Sequence, residues 1–116
     1  MTLRRASTNS SSPLVALDYE VAQEQASALG RAGRMLEQAL QALADHDSAA
    51  AQDRMPADDL GRRAELVQTA GHALWCFMVQ RESIGLRDPR PVLRDYRVLA
   101  EVQNRMGVFV GSRRRR

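Results

Sequence analysis

Lysine is missing from this chain, and cysteine, aromatic and β-branched residues are scarce. All 17 basic residues are arginine. The single cysteine, Cys76, excludes an internal disulfide and fits a reducing cytoplasm. Two Phe, two Tyr and one Trp leave alanine and leucine to supply the apolar content. That composition favours helix over strand. The longest compact apolar run, residues 73–79, is far shorter than the ~20 residues of a membrane span. Arg4 and Arg5 are followed by Ala-Ser-Thr-Asn-Ser-Ser-Ser, which is polar where a secretory signal is apolar. No phosphate-cradling glycine loop occurs, and no nucleophile stands beside an evident base. The expectation is a cytoplasmic, non-enzymatic protein with no cofactor and no membrane contact.

At 116 residues the chain fits one domain with a modest core. The formal net charge of +3 is unevenly spread. Residues 1–13 carry two Arg and no acid, residues 14–79 carry five Arg against ten acids, and residues 80–116 carry ten Arg against four acids. The basic character belongs to the ends. The expected organisation is a disordered basic arm over 1–13, a helical domain over 14–110 and a flexible basic tail over 111–116. Arg4-Arg5-Ala6-Ser7 also fits a basophilic kinase site, a weak four-residue match.

The stretch that organises the chain is residues 57–88, with a long helix over 60–84. Leu60, Ala64, Val67, Gly71, Leu74 and Met78 form one apolar seam. Leu66, Ala70, Ala73 and Phe77 form a second, with Ile84 beyond. A surface helix needs one such stripe, so this one is covered from two sides. An earlier helix begins between Leu14 and Asp18, with Ser12 as cap and Pro13 at the first helical position. Its seam, Val15, Tyr19, Ala22, Ala26, Leu29, Gly33, Leu36, Leu40 and Leu43, alternates steps of four and three, as in a left-handed helix pair. Residues 45–56 break the pattern and read as an exposed acidic connection, with an extra turn at 49–51. Asp45-His46-Asp47 fails as a calcium loop, because Ala50 and Pro56 stand where Gly and Glu are required. Each long helix is expected to be about 40 Å long. Gly33 and Gly71 are expected to face each other at closest approach. After the stop at Gly85, Asp88 caps a short helix ending near Tyr96. Arg97 and Val98 turn the chain into a second short helix over 99–106, closed by Gly107, and 108–110 is extended. The fold class is all-α: a long antiparallel helical hairpin plus two short C-terminal helices, dimerising into a bundle.

Ala28-Leu29-Gly30-Arg31-Ala32-Gly33, Leu74-Trp75-Cys76-Phe77, Val79-Gln80-Arg81-Glu82, Gly85-Leu86-Arg87-Asp88, Asp95-Tyr96 and Glu101-Val102 resemble a small bacterial family of unknown function over roughly residues 15–108. The resemblance implies a short helical cytoplasmic protein and no particular activity. In that pattern Gly and Pro are usual near Arg97 and Leu99, and this chain departs at both.

Three groups of residues are candidate sites. Arg81, Glu82, Arg87 and Asp88 lie where the second helix ends, and paired arginines there suit a carboxylate or phosphate. Arg90, Arg94, Arg97, Arg105, Arg113, Arg114, Arg115 and Arg116 form a basic patch. Its first three share a helix face at i, i+4 and i+7 and suit a nucleic-acid backbone. Leu66, Ala70, Ala73, Trp75 and Phe77 are a candidate interface for a homodimer or another protein. His72 and Cys76 are one turn apart; two ligands alone make no zinc site, so packing is expected there and no metal is assigned, with a small-ligand or metal-binding helical protein using this face or the Arg81–Asp88 corner as an alternative function.

Overall fold

The computed structural model describes residues 12–52 and 59–106. The chain is all-α, and the described residues form four helices: α1 Pro13–Ala51, α2 Asp59–Ser83, α3 Arg90–Asp95 and α4 Ala100–Arg105. Among the described residues no helix is long and apolar enough to cross a membrane. The expected arm up to residue 11, Gly107, the segment over 108–110 and the tail over 111–116 lie outside the described residues.

α1 starts at Pro13, whose ring presets a helical φ. Ser12 before it is extended, and its carbonyl accepts the Ala16 N–H at 3.1 Å. The Ser12 side chain makes no capping bond, contrary to expectation. α1 then runs 39 residues, about 58 Å, through the stretch expected to be a connection. Two causes explain the difference. Gln41 donates to Asp45 across one turn at 2.8 Å, and the alanines at 49–51 are strong helix formers. The polar residues of this turn also find partners on α2. At 25 residues α2 is about 38 Å long, so the two long helices are unequal rather than matched.

Contacts between them pair Asp47 with Arg63 and Gly33 with Phe77. The contact positions descend along α1 as they ascend along α2. Ala32, Leu36 and Leu43 of α1 meet Leu66, Val67, Ala70, Ala73, Leu74 and Phe77 of α2 in one core, joined by Val92, Val98 and Val102. Leu36, Ala70, Leu74 and Val102 have no exposed surface.

The two glycines have different neighbours. A Cβ on Gly33 would lie 3.3 Å from the Phe77 ring and 3.4 Å from the Tyr96 hydroxyl. A Cβ on Gly71 would lie 2.8 Å from Arg105 Cβ and 2.9 Å from its carbonyl carbon and oxygen. Gly71 therefore admits the backbone of α4 rather than facing Gly33.

α2 and α3 end in the same way. Gly85 has φ +92°, with Gly85 N–H bonded to the Glu82 carbonyl and Leu86 N–H to the Arg81 carbonyl. Arg97 has φ +52°, with Arg97 N–H bonded to Arg94 and Val98 N–H to Leu93. Both are left-handed terminators that glycine fills without a Cβ penalty. The second is filled by arginine, at the place where the family resemblance favours glycine. Leu99, at φ −67°, also has the backbone angle of proline.

Candidate functional site

On α2, Arg63, Val67, Ala70, Leu74, Phe77 and Arg81 follow one helical row. Four apolar members are buried, and an arginine stands at each end. A charge bordering a core needs a partner close by, and the two arginines meet that need differently.

Arg63 grips two carboxylates. Its Nε and Nη2 donate to Asp47 Oδ1 and Oδ2 at 2.8 and 3.1 Å. Its Nη1 and Nη2 donate to Glu101 Oε2 and Oε1, both at 2.8 Å. One guanidinium thus joins α1, α2 and α4. Hydrogen bonds from Arg63 hold the carboxyls of Asp47 and Glu101 below their ordinary pKa, and the paired guanidinium holds its proton more tightly in return. Beside it His46 Nε2 lies 2.7 Å from Asp59 Oδ1, and both side chains are largely buried. The stretch around His46 is therefore a helix-to-helix junction, not an exposed linker. Sequence reasoning left Arg63 unmarked. Its signal was a charge lying on an otherwise buried row.

At the other end Arg81 Nη2 donates to the Asp88 carbonyl at 2.8 Å, bracing the turn after α2. The Asp88 carboxylate takes the Arg90 N–H at 3.0 Å and the Arg90 guanidinium at 2.9 Å twice. Those bonds, the Arg90 side chain first, bring its pKa down to about 2. Arg81 and Asp88 thus lie together but are engaged in the turn itself, while Glu82 and Arg87 are exposed. The four do not form one paired-arginine cradle.

The basic patch is divided. Arg90 is held by Asp88, and Arg94 Nε donates to Asp95 Oδ1 at 3.1 Å. α3 ends at Asp95, so Arg97 leaves the helical row it was expected to share with Arg90 and Arg94. Arg105 is exposed, with its backbone against Gly71. Arg113, Arg114, Arg115 and Arg116 lie outside the described residues.

The expected interface also needs correction. Leu66, Ala70, Ala73 and Phe77 are covered within the chain. Trp75 remains 40% exposed and stacks on His72 with ring centroids 6.2 Å apart. Cys76 Sγ is 3.6 Å from His72 Nε2, and among the described residues no three His, Cys, Asp or Glu gather as metal ligands.

Several uncovered apolar residues lie instead on the first third of α1. Leu14, Val15, Leu17, Tyr19 and Val21 are 71, 51, 54, 65 and 47% exposed. Gly33 lies against Phe77, so residues about six positions earlier on α1 are level with the end of α2 at Ser83. Residues 14–27 extend beyond it, about 21 Å of helix with only Gln25 partly covered.

No curated protein and no solved structure matches the chain. A family model described as a family of unknown function, DUF6665, matches residues 5–114, nearly the whole sequence. The chain belongs to that family.

Proposed function

We propose that the chain is a non-enzymatic interaction module. Its two long helices act as an antiparallel hairpin, and its first property is self-association into a homodimeric helical bundle. The observation that carries this reading is the bare N-terminal segment of α1. An isolated helix shorter than about 12–15 residues is marginal in water. Residues 14–27 are of that length, strongly apolar and unsupported by α2. They present two apolar stripes on different faces of the helix, Val15 with Tyr19 and Leu14 with Leu17 and Val21, and exposed apolar surface of this kind marks an interaction surface.

The alternatives have weaker support. A nucleic-acid reading rests on the arginines of residues 80–116, but Arg90 and Arg94 are already engaged by Asp88 and Asp95. A small-ligand reading at Arg81 and Asp88 meets groups that are committed to each other's turn. Light scattering during size exclusion, with absorbance at 260 and 280 nm, separates these readings. A dimer free of nucleic acid is expected. A monomer, or a nucleic-acid complex that salt dissolves, overturns the proposal.

A further inference from the structure

We infer that the chain's own C-terminal segment, residues 107–116, docks back along the outer face of α2, with Val108, Phe109 and Val110 over Trp75 and Val79, and with Arg113–Arg116 beside the carboxylates of the first third of α1. This goes beyond the self-association proposed above and does not depend on it.

The outer face of α2 is unlike an ordinary solvent face. From Leu66 to Gln80 the helix has no Asp, Glu or Arg. The row Gln68, His72, Trp75 and Val79 is exposed, with Trp75 and Val79 at 40 and 42%. An amphipathic helix places charged residues on its solvent side. An uncharged row that ends in Trp and Val there fits a docking surface.

α4 aims the chain at this row. Glu101 at its start is bonded to Arg63, and Arg105 at its end lies against Gly71, so α4 advances toward the C-terminal end of α2. Trp75 is one turn beyond Gly71 on the same helical row. Met106, the last described residue, is already extended, with φ −64° and ψ 117°. An extended chain gains about 3.3 Å per residue, so Val108–Val110 reach about 7–13 Å beyond Met106. Trp75 and Val79 lie about 6 and 12 Å beyond Gly71. The apolar residues of the segment thus fall level with the exposed apolar residues of α2.

Charge fixes the far end. Arg113–Arg116 reach about 23–33 Å beyond Met106. α2 ends at Ser83, about 18 Å beyond Gly71, and α1 continues past it. Gly33 lies against Phe77, which places Glu24 and Asp18 about 22 and 32 Å along the same axis. Residues 13–30 contain Asp18, Glu20 and Glu24 and no arginine. Four arginines therefore arrive level with three carboxylates. Arg31 bonds Glu24 at 3.1 Å, so Glu20 and Asp18 are the main targets. Ion pairs at such exposed positions weaken as salt is added.

Trp75 is the one tryptophan of the chain, so its fluorescence reports this face directly. The test uses the full chain, dilute and at tens of micromolar, with light scattering beside each measurement. In Phe109→Ser the emission should move to longer wavelength and acrylamide quenching should rise, at both concentrations and with unchanged helical circular dichroism. Changing Arg113, Arg114, Arg115 and Arg116 together to Gln, or adding about 1 M salt to the parent, should give a smaller change in the same direction. Unchanged emission and quenching in Phe109→Ser overturns the inference. So does a change confined to the higher concentration, which assigns the cover to a second copy. A response to Phe109→Ser with none to the Gln variant or to salt overturns the placement of the arginines. A single chain mass throughout defeats self-association and leaves this test standing.

Discussion

The two ends of α1 carry similar seams and meet different fates. From Leu29 to Leu43 the seam is covered by α2 and the short helices, with Leu36 fully buried and Leu43 at 1% exposure. From Val15 to Ala26 the same alternation stands in solvent. The pattern alone does not decide burial; the length of the neighbouring helix does. α2 is 25 residues and α1 is 39, so part of α1 must outrun its cover. The covered end holds the monomer together, and the uncovered end has surface to offer another molecule.

The sharpest way to break this comparison is to delete the same chemistry at both ends. Leu36→Ala should cost about 2–5 kcal/mol of stability, because it leaves a cavity in a filled core. Val15→Ala should change the unfolding of the dilute chain by less than about 0.5 kcal/mol, while weakening dimer formation. Denaturant melts at low and high concentration separate the two effects. Equal unfolding costs at both ends would erase the distinction.

Gly71 and Gly61 make a second contrast, of smaller size. Gly71→Ala drives a methyl into the backbone of Arg105 and should cost about 1–3 kcal/mol by displacing α4. A Cβ on Gly61 meets nothing within 4 Å, and Gly61→Ala should stabilise α2 by about 0.5–1 kcal/mol. Thermal melts of the two variants should move in opposite directions.

The Arg63 junction comes next. Arg63→Met should cost about 1–2 kcal/mol, since its two carboxylates are partly exposed and solvent screens them. Asp47 and Glu101 have folded pKa values below their unfolded ones. Their contribution is therefore complete above the ordinary carboxylate range near pH 4 and is lost as pH falls through the depressed folded values. Acid unfolding of the parent chain should show this loss, and the Met variant should show a shallower one. An effect of the same size as at Gly61 is expected at Arg97. Arg97→Gly relieves a left-handed backbone at φ +52° and should stabilise the chain by about 0.5–1 kcal/mol, read as a rise in thermal midpoint.

The seams, the start at Pro13, the stop at Gly85 and the two short helices were legible because local signals carry them: periodicity, a preset φ and a glycine terminator. The end of α1 was not. Asp45, His46 and Asp47 look like linker residues until Asp59 and Arg63 are beside them, and those partners lie 13 and 16 residues away in sequence. The neighbour of Gly71 was hidden for a similar reason. A small residue announces close approach without saying what approaches, and the match with Gly33 pointed to the wrong helix. The interface residues Leu66, Ala70, Ala73 and Phe77 were correctly read as needing cover. What sequence pattern could not assign was which helix provides it, and hence that the spare surface lies on α1.

The central claim is that the chain self-associates through the bare segment of α1. The most direct measurement is the absolute mass of the full chain and of Tyr19→Glu by light scattering at tens of micromolar. The account predicts twice the 12.9 kDa chain mass for the parent and a single chain mass for the variant, with the same helical content in both. A parent that is already monomeric, or a variant that remains a dimer, would contradict it.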